Sequence, residues 1–221
     1  MTKQYSIVAD IAGNREALEA LWVKLNPNST KILVGDLFDR GPDSKGVWEF
    51  VRSKPDTIVL YGNHEDFLFR SLKGVVPDSY EYYEQIHWKT LWCCITNGGQ
   101  ATLDSFSDKS ELKKVVEWVE SLPVFYRDDG AGLFVSHAPL SPRSFREVNS
   151  PIFKKDVADL NSIVWGRNIP PRQPGLLQVF GHNRFKTEYS DELGLFAVCI
   201  DDCGRNRLCA LEFPSMEYIY Q

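Results

Sequence analysis

Three of the chain's four histidines, His64, His137 and His182, stand directly after short apolar runs. Asp10, Gly35-Asp36, Asp39-Arg40 and Gly62-Asn63 are placed in the same way. Carboxylate oxygen, amide oxygen and imidazole nitrogen together suit divalent ions of the Mn, Fe or Zn kind, and loops at strand ends can bring such groups to one point. A glycine before a ligand permits a sharp turn and close backbone approach. One histidine at a strand end reads as a satisfied structural residue; three of them, with Asp10, Asp36 and Asn63 placed alike, read as a single constellation. The fourth, His87, lies in a helical pattern and is read as structural. With no nucleophilic Cys or Ser motif beside these residues, the chemistry they point to is hydrolysis with a metal-activated water.

The elements that must position them follow from periodicity. Tyr5–Asp10 reads as a strand, and Gly13-Asn14 as a turn. Leu18, Leu21, Trp22 and Leu25 then recur at helical spacing. Lys31–Gly35 and Thr57–Tyr61 read as further strands. Between them, Ser44 is expected to cap a helix with apolar face Val47, Phe50 and Val51, and another helix should begin near Glu65. This βαβαβα order predicts an α/β fold with parallel pairing and functional loops at the strands' C-terminal ends. Residues 74–128, with Tyr80, Tyr82, Tyr83, Trp88 and Trp92, lack strand alternation and read as a helical insertion. Strand signals return at Leu133–Ser136, Leu177–Phe180, Leu195–Ile200 and Leu208–Phe213, and Ile169–Pro174 must be loop.

Composition bounds the class. The 221 residues suit a single domain, 43% hydrophobic and 25% charged, which excludes disorder. A net charge of −5 offers no global basic field, so nucleic acid is not an expected partner. No apolar run is long enough to cross a bilayer, and the first residues lack a signal-peptide pattern, so a cytoplasmic, membrane-free protein is expected. Its five cysteines, Cys93, Cys94, Cys199, Cys203 and Cys209, form no standard zinc spacing and read as reduced packing residues.

GDLFDRG at 35–41 followed by GNHE at 62–65 resembles the signature of the PPP-type Ser/Thr protein phosphatases, within the calcineurin-like metallophosphoesterases. The Asp10 segment, Asn97-Gly98-Gly99, His137, Trp165-Gly166-Arg167, Gly181-His182 and Asp201-Asp202-Cys203-Gly204 continue the resemblance in order, so that it spans residues 10 to 204. It is closest in kind to the small bacterial and phage phosphatases. The resemblance implies two packed mixed β-sheets flanked by helices, and two divalent metal ions, manganese foremost with iron, zinc or magnesium as alternatives. Asp36 would bridge them, with Asp10 on the first and Asn63, His137 and His182 on the second. Arg40 and Arg167 would grip the phosphate through planar guanidinium forks. His64, oriented by Asp39, would be the general acid that protonates the leaving alkoxide. Glu65 is expected to cap the following helix.

The family pattern Asp-x-His-Gly reads Asp10-Ile11-Ala12-Gly13 here. Alanine cannot ligate metal, so the first site keeps its carboxylates and loses its imidazole. The leading expectation is a phosphomonoesterase acting on phosphorylated protein or small phosphoesters. A dinucleoside polyphosphate hydrolase of the same fold is the nearest rival, disfavoured here because those relatives tend to depart from DRG and GNHE at the positions of Asp39 and Glu65. A catalytically silent binding protein, marked by Ala12, is the third reading; His64, Asp39, Arg40 and Arg167 together argue against it.

Overall fold

The computed structural model describes residues 3–74, 80–155 and 159–221. The chain opens β1 (Tyr5–Val8), α1 (Arg15–Trp22), β2 (Thr30–Leu33), α2 (Ser44–Arg52), β3 (Ile58–Val59) and α3 (Asn63–Leu72). Strand β2 pairs in parallel with both β1 and β3. Asn14 caps α1 by accepting from the Ala17 N–H, and the helix buries Ala17, Leu18 and Leu21 on the sheet. Leu18 and Leu21, both fully buried, contribute about 1.5–3 kcal/mol each. At α2 the cap is Asp43, whose Oδ1 accepts from the Gly46 N–H at 2.8 Å, and not Ser44 as expected. Ser44 is the first residue of the helix and turns its hydroxyl toward the loop that carries Asp39.

Helices α4 (Tyr80–Trp92), α5 (Gly99–Ser105) and α6 (Lys109–Ser121) fill the region expected to be helical. Its last residues, however, form β4 (Phe125–Asp128). Then follow β5 (Leu133–Ser136), α7 (Pro142–Val148), α8 (Leu160–Val164), β6 (Leu177–Phe180), β7 (Thr187–Asp191), β8 (Gly194–Cys199), β9 (Cys209–Phe213) and β10 (Glu217–Tyr220).

The strands make two mixed five-stranded sheets, ordered β10-β9-β1-β2-β3 and β4-β5-β6-β8-β7. One buried cluster joins them, taking Ile7, Val8, Ile32 and Leu33 from the first and Phe134, Val135, Val179 and Val198 from the second. The loops after β1, β2, β3, β5 and β6 all leave C-terminal ends of parallel strands and carry Asp10, Asp36, Asn63, His137 and His182. Parallel strands bring those ends to one side, where the connections diverge and leave a crevice.

Candidate active site

At the centre of the crevice Asp36, His137 and His182 are buried, with ligand atoms within 4.8 Å of one another. His137 Nδ1 donates to the Val34 carbonyl at 3.0 Å, which fixes its tautomer and leaves a lone pair on Nε2. That lone pair lies 2.8 Å from Asn63 Oδ1 and 3.3 Å from Asp36 Oδ1, both acceptors. His182 Nδ1 also meets Asn63 Oδ1 at 2.8 Å, while its Nε2 is buried without a hydrogen-bond partner. Burial lowers the pKa of His137, and burial followed by the neighbouring His137 and Arg167 pushes His182 down to about 3. Burial opposes ionisation of Asp36, but attraction to His137, His64 and His182 when these are protonated, with the His64 backbone N–H, outweighs it and holds the Asp36 pKa at about 2. At His137 Nε2, lone pairs therefore face the lone pairs of Asn63 Oδ1 and Asp36 Oδ1 with no proton between them, an arrangement that costs energy unless a cation sits among them. Asp36, Asn63, His137 and His182 fit a divalent ion.

The other half of the crevice is different. Both Asp10 oxygens accept from the His182 N–H at 3.2 Å. Burial, then the charges of Asp201 and Asp36, raise the Asp10 pKa well above the usual carboxylate range. A cation would relieve that crowding too, yet the donors to hold it are fewer. Ala12 brings only a methyl group, and its N–H and carbonyl are occupied by the Asp36 carbonyl (2.8 Å) and the Gly41 N–H (2.9 Å).

His64 is buried beside the centre. Its Nδ1 donates to Asp39 Oδ2 at 2.5 Å, and its Nε2 lies 3.8 Å from Asp36 Oδ2. Arginine can only donate, so the 2.7 Å contact from Arg40 Nη2 makes His64 Nε2 an acceptor and leaves the ring proton on Nδ1. Burial works against protonation, but Asp36 and Asp39 prevail and hold the His64 pKa above its ordinary value. Asp39 is itself fully buried, taking hydrogen bonds from Trp92 Nε1 (2.7 Å) and Thr102 Oγ1 (2.5 Å). Held in this way, its Oδ2 fixes the orientation of the His64 ring.

Sequence reading missed these two supports, which come from the helical insertion. Trp92 was visible only as one of many aromatics. The Asn97-Gly98-Gly99 match marks the same place: the Gly98 carbonyl accepts the Arg40 N–H at 3.2 Å, and the indole of Trp92 leaves no space for a Cβ at Gly99. Glu65 does more than close the first turn of α3. Its carboxylate accepts from the N–H groups of Asp36 (2.7 Å), Leu37 (2.9 Å) and Gly62 (2.9 Å), tying two ligand loops together. Being fully buried on backbone, it cannot choose among substrates.

Arg167 is exposed, its Nη1 3.3 Å from the His182 carbonyl, on a loop anchored by Trp165, whose Nε1 donates to Asp66 at 3.0 Å. His87 is exposed on α4. All five cysteines are free thiols; Cys203 borders the crevice near Asp10 and Ala12. Ala12, Asp36, Asp39, Arg40, His182 and Arg184 all have positive φ. For non-glycine residues that conformation costs of order 1–3 kcal/mol each, so backbone strain is gathered where the chemistry-bearing side chains are aimed.

Comparison with known proteins bears on this arrangement. A model of the calcineurin-like phosphoesterase family matches residues 6–199. A symmetrical bis(5'-nucleosyl)-tetraphosphatase of Coxiella burnetii (strain Dugway 5J108-111) is 27% identical over 141 residues, which is 62% of this chain and 42% of that protein. Its counterpart from Erwinia tasmaniensis is also 27% identical, over 144 residues, 62% of this chain and 44% of that protein. The match thus spans less than half the length of these curated relatives. Among solved structures, a candidate diadenosine tetraphosphatase superposes with a TM-score of 0.63 at 23% identity, covering 100% of this chain and 94% of that one. A cold-active protein tyrosine phosphatase gives 0.54 at 18% identity, covering 96% and 74%. The phosphatase-type motifs, the two packed mixed sheets and the family match agree: the chain belongs to the calcineurin-like phosphoesterases.

Proposed function

We propose that the protein is a divalent-metal-dependent hydrolase of dinucleoside polyphosphates, and that Asp36, Asn63, His137 and His182 hold its firmer ion and Asp10 with Asp36 a weaker one. The observation that carries the metal assignment is the His137 Nε2 lone pair facing the Asn63 and Asp36 oxygens without a proton, with the buried, unpartnered His182 Nε2 beside it. A divalent ion there lowers the pKa of water and offsets charge on phosphoryl oxygens. Manganese is the ion expected to serve in vitro, since the donors mix carboxylate, amide and imidazole. Arg40 and Arg167 bind the phosphoryl oxygens. As Arg40 turns its N–H groups toward phosphate, His64 Nε2 is released and can carry a proton to the leaving oxygen, with Asp39 holding the ring.

Similarity to proteins named as tetraphosphatases supports the dinucleotide as substrate over a phosphoprotein. The reverse preference, expected from Asp39 and Glu65, loses half its ground because Glu65 faces only backbone. A second reading, hydrolysis of phosphoserine or phosphothreonine, is favoured by the oriented acid His64, which helps an alkoxide leave more than it helps a phosphate. Turnover of diadenosine tetraphosphate, a phosphoserine peptide and p-nitrophenyl phosphate with added manganese decides between them. The dinucleotide should give the highest kcat/KM; a clear preference for the peptide promotes the second reading. Exhaustive chelation should abolish all three activities, and activity that survives it would sink the metal assignment.

A further inference from the structure

Beside Asp10 the crevice widens into a cleft of about 330 Å³, bordered by Ala12, Arg40, Arg184, Cys203 and Arg207. Its cations are not equivalent. Arg207 is committed, with Nη2 2.5 Å from Asp202 and its guanidinium over the Tyr220 ring. Arg40 Nη2 lies 2.7 Å from His64 Nε2. The Arg184 guanidinium has no acceptor among the described residues, although its backbone is clamped on both sides. The Arg184 N–H donates to the buried Asp201, and the Arg184 carbonyl accepts from the Gly204 N–H at 2.8 Å. This clamp holds Arg184 at φ +65°, a strained conformation for arginine. Asp201 and Gly204 thus fix the backbone root of one open cation that lines the cleft.

The same cleft is lined by Ala12, where the family pattern has an imidazole. A methyl group there takes up little of the cleft, which Asp10, Arg40 and Arg184 line together. A phosphoryl group held at Arg40 beside the cluster could therefore continue as a chain of further phosphates toward a second guanidinium, whose planar fork suits phosphate oxygens.

We propose that Arg184, which lines the cleft together with Ala12 and Arg40, is a specificity-determining residue that binds the phosphates beyond the scissile one, so that the site takes an extended phosphate chain. This rests on the dinucleoside polyphosphate reading for its natural substrate, and its test is arranged so that the two can fail separately.

The experiment compares the protein with Arg184→Asn, chosen because asparagine tolerates positive φ better than most residues; Arg184→Gln repeats it with a second neutral side chain. The ratio of kcat/KM for diadenosine tetraphosphate to that for p-nitrophenyl phosphate is measured at fixed free manganese. It should fall about 10–100-fold, the worth of one charge-assisted hydrogen bond. An unchanged ratio overturns the proposal. Should the unaltered protein fail to cleave the tetraphosphate, the substrate reading falls, and the subsite is judged by inhibition of p-nitrophenyl phosphate hydrolysis. Inorganic tripolyphosphate should then bind more tightly than orthophosphate, and the advantage should vanish in both variants. Equal affinities in the unaltered protein, or an advantage that persists without Arg184, overturn it.

Discussion

Replacing Ala12 with histidine tests the unequal metal sites directly. In the proposed assignment Asp36 is shared, so the first ion depends on Asp10 alone for a donor of its own, and the His182 N–H already occupies both Asp10 oxygens. The second ion adds Asn63, His137 and His182. The backbone will accept the change, because Ala12 sits at φ +49°, a region in which histidine is enriched among non-glycine residues. Space is available as well, since Ala12 is half-buried and borders the 330 Å³ cleft. Losing a group that merely orients a metal ligand costs about 10–100-fold in affinity, so gaining a direct imidazole donor should tighten the first site by at least that factor, about 1.4–2.8 kcal/mol. The assay is activity against free manganese, together with bound metal per chain after dialysis. The unaltered protein should retain one ion firmly and reach full activity only at high metal. Ala12→His should retain two and shift its activation curve to lower metal by the same factor. Thermal unfolding without metal checks that the ring has fitted. If the two curves coincide in a folded variant, some other group already completes the first site and the reasoning is wrong.

Two further outcomes follow from the same geometry. His64→Asn should lower kcat by about 10²–10⁴-fold on an alkyl phosphate and by much less on p-nitrophenyl phosphate, whose leaving group needs little protonation; equal losses on both would refute the acid role. In the metal-free protein His182 is held at about 3, below the ordinary imidazole value, so the unfolded chain takes the proton first as pH falls. Its contribution to stability is complete above about pH 6.5 and drains toward the folded value, by about 2 kcal/mol at roughly pH 5. Urea midpoints should therefore decline less steeply with acid in His182→Asn than in the unaltered protein, and identical declines would contradict the assignment.

The sequence was most readable where strands are buried. Leu133–Ser136 and Leu177–Phe180 were read with their observed bounds, since both are central strands whose residues are almost all enclosed. The three strands missed, β4, β7 and β10, are all sheet edges, and β3, expected at Thr57–Tyr61 and found as two residues, is the fourth edge. An edge strand meets solvent along one side and needs no apolar run, so β7 reads as Thr-Glu-Tyr-Ser-Asp, with all but Tyr189 exposed. The candidate ligands were legible because each must follow a parallel strand. Trp92, Thr102, Ser44 and Glu65 were not legible in their roles, because each acts through a hydrogen bond to a loop distant in sequence, and neither periodicity nor spacing encodes such contacts.

Ala12 connects two properties that would otherwise be separate. The cleft that it borders is lined both by Asp10, the donor of the proposed first metal position, and by Arg184. An imidazole at this position would take up space in the same opening through which a phosphate chain would pass. Metal affinity and tolerance of long phosphate chains should therefore move in opposite directions when residue 12 is enlarged. Ala12→His should gain affinity for manganese and, at saturating metal, lose part of its preference for diadenosine tetraphosphate over p-nitrophenyl phosphate. Ala12→Leu, which adds bulk without a donor, should lose the preference and gain no metal. The two variants separate volume from ligation: a preference unchanged in both, with the proteins folded and metal saturating, would show that phosphate chains do not pass Ala12. Arg184 would then face a cleft that the substrate does not enter.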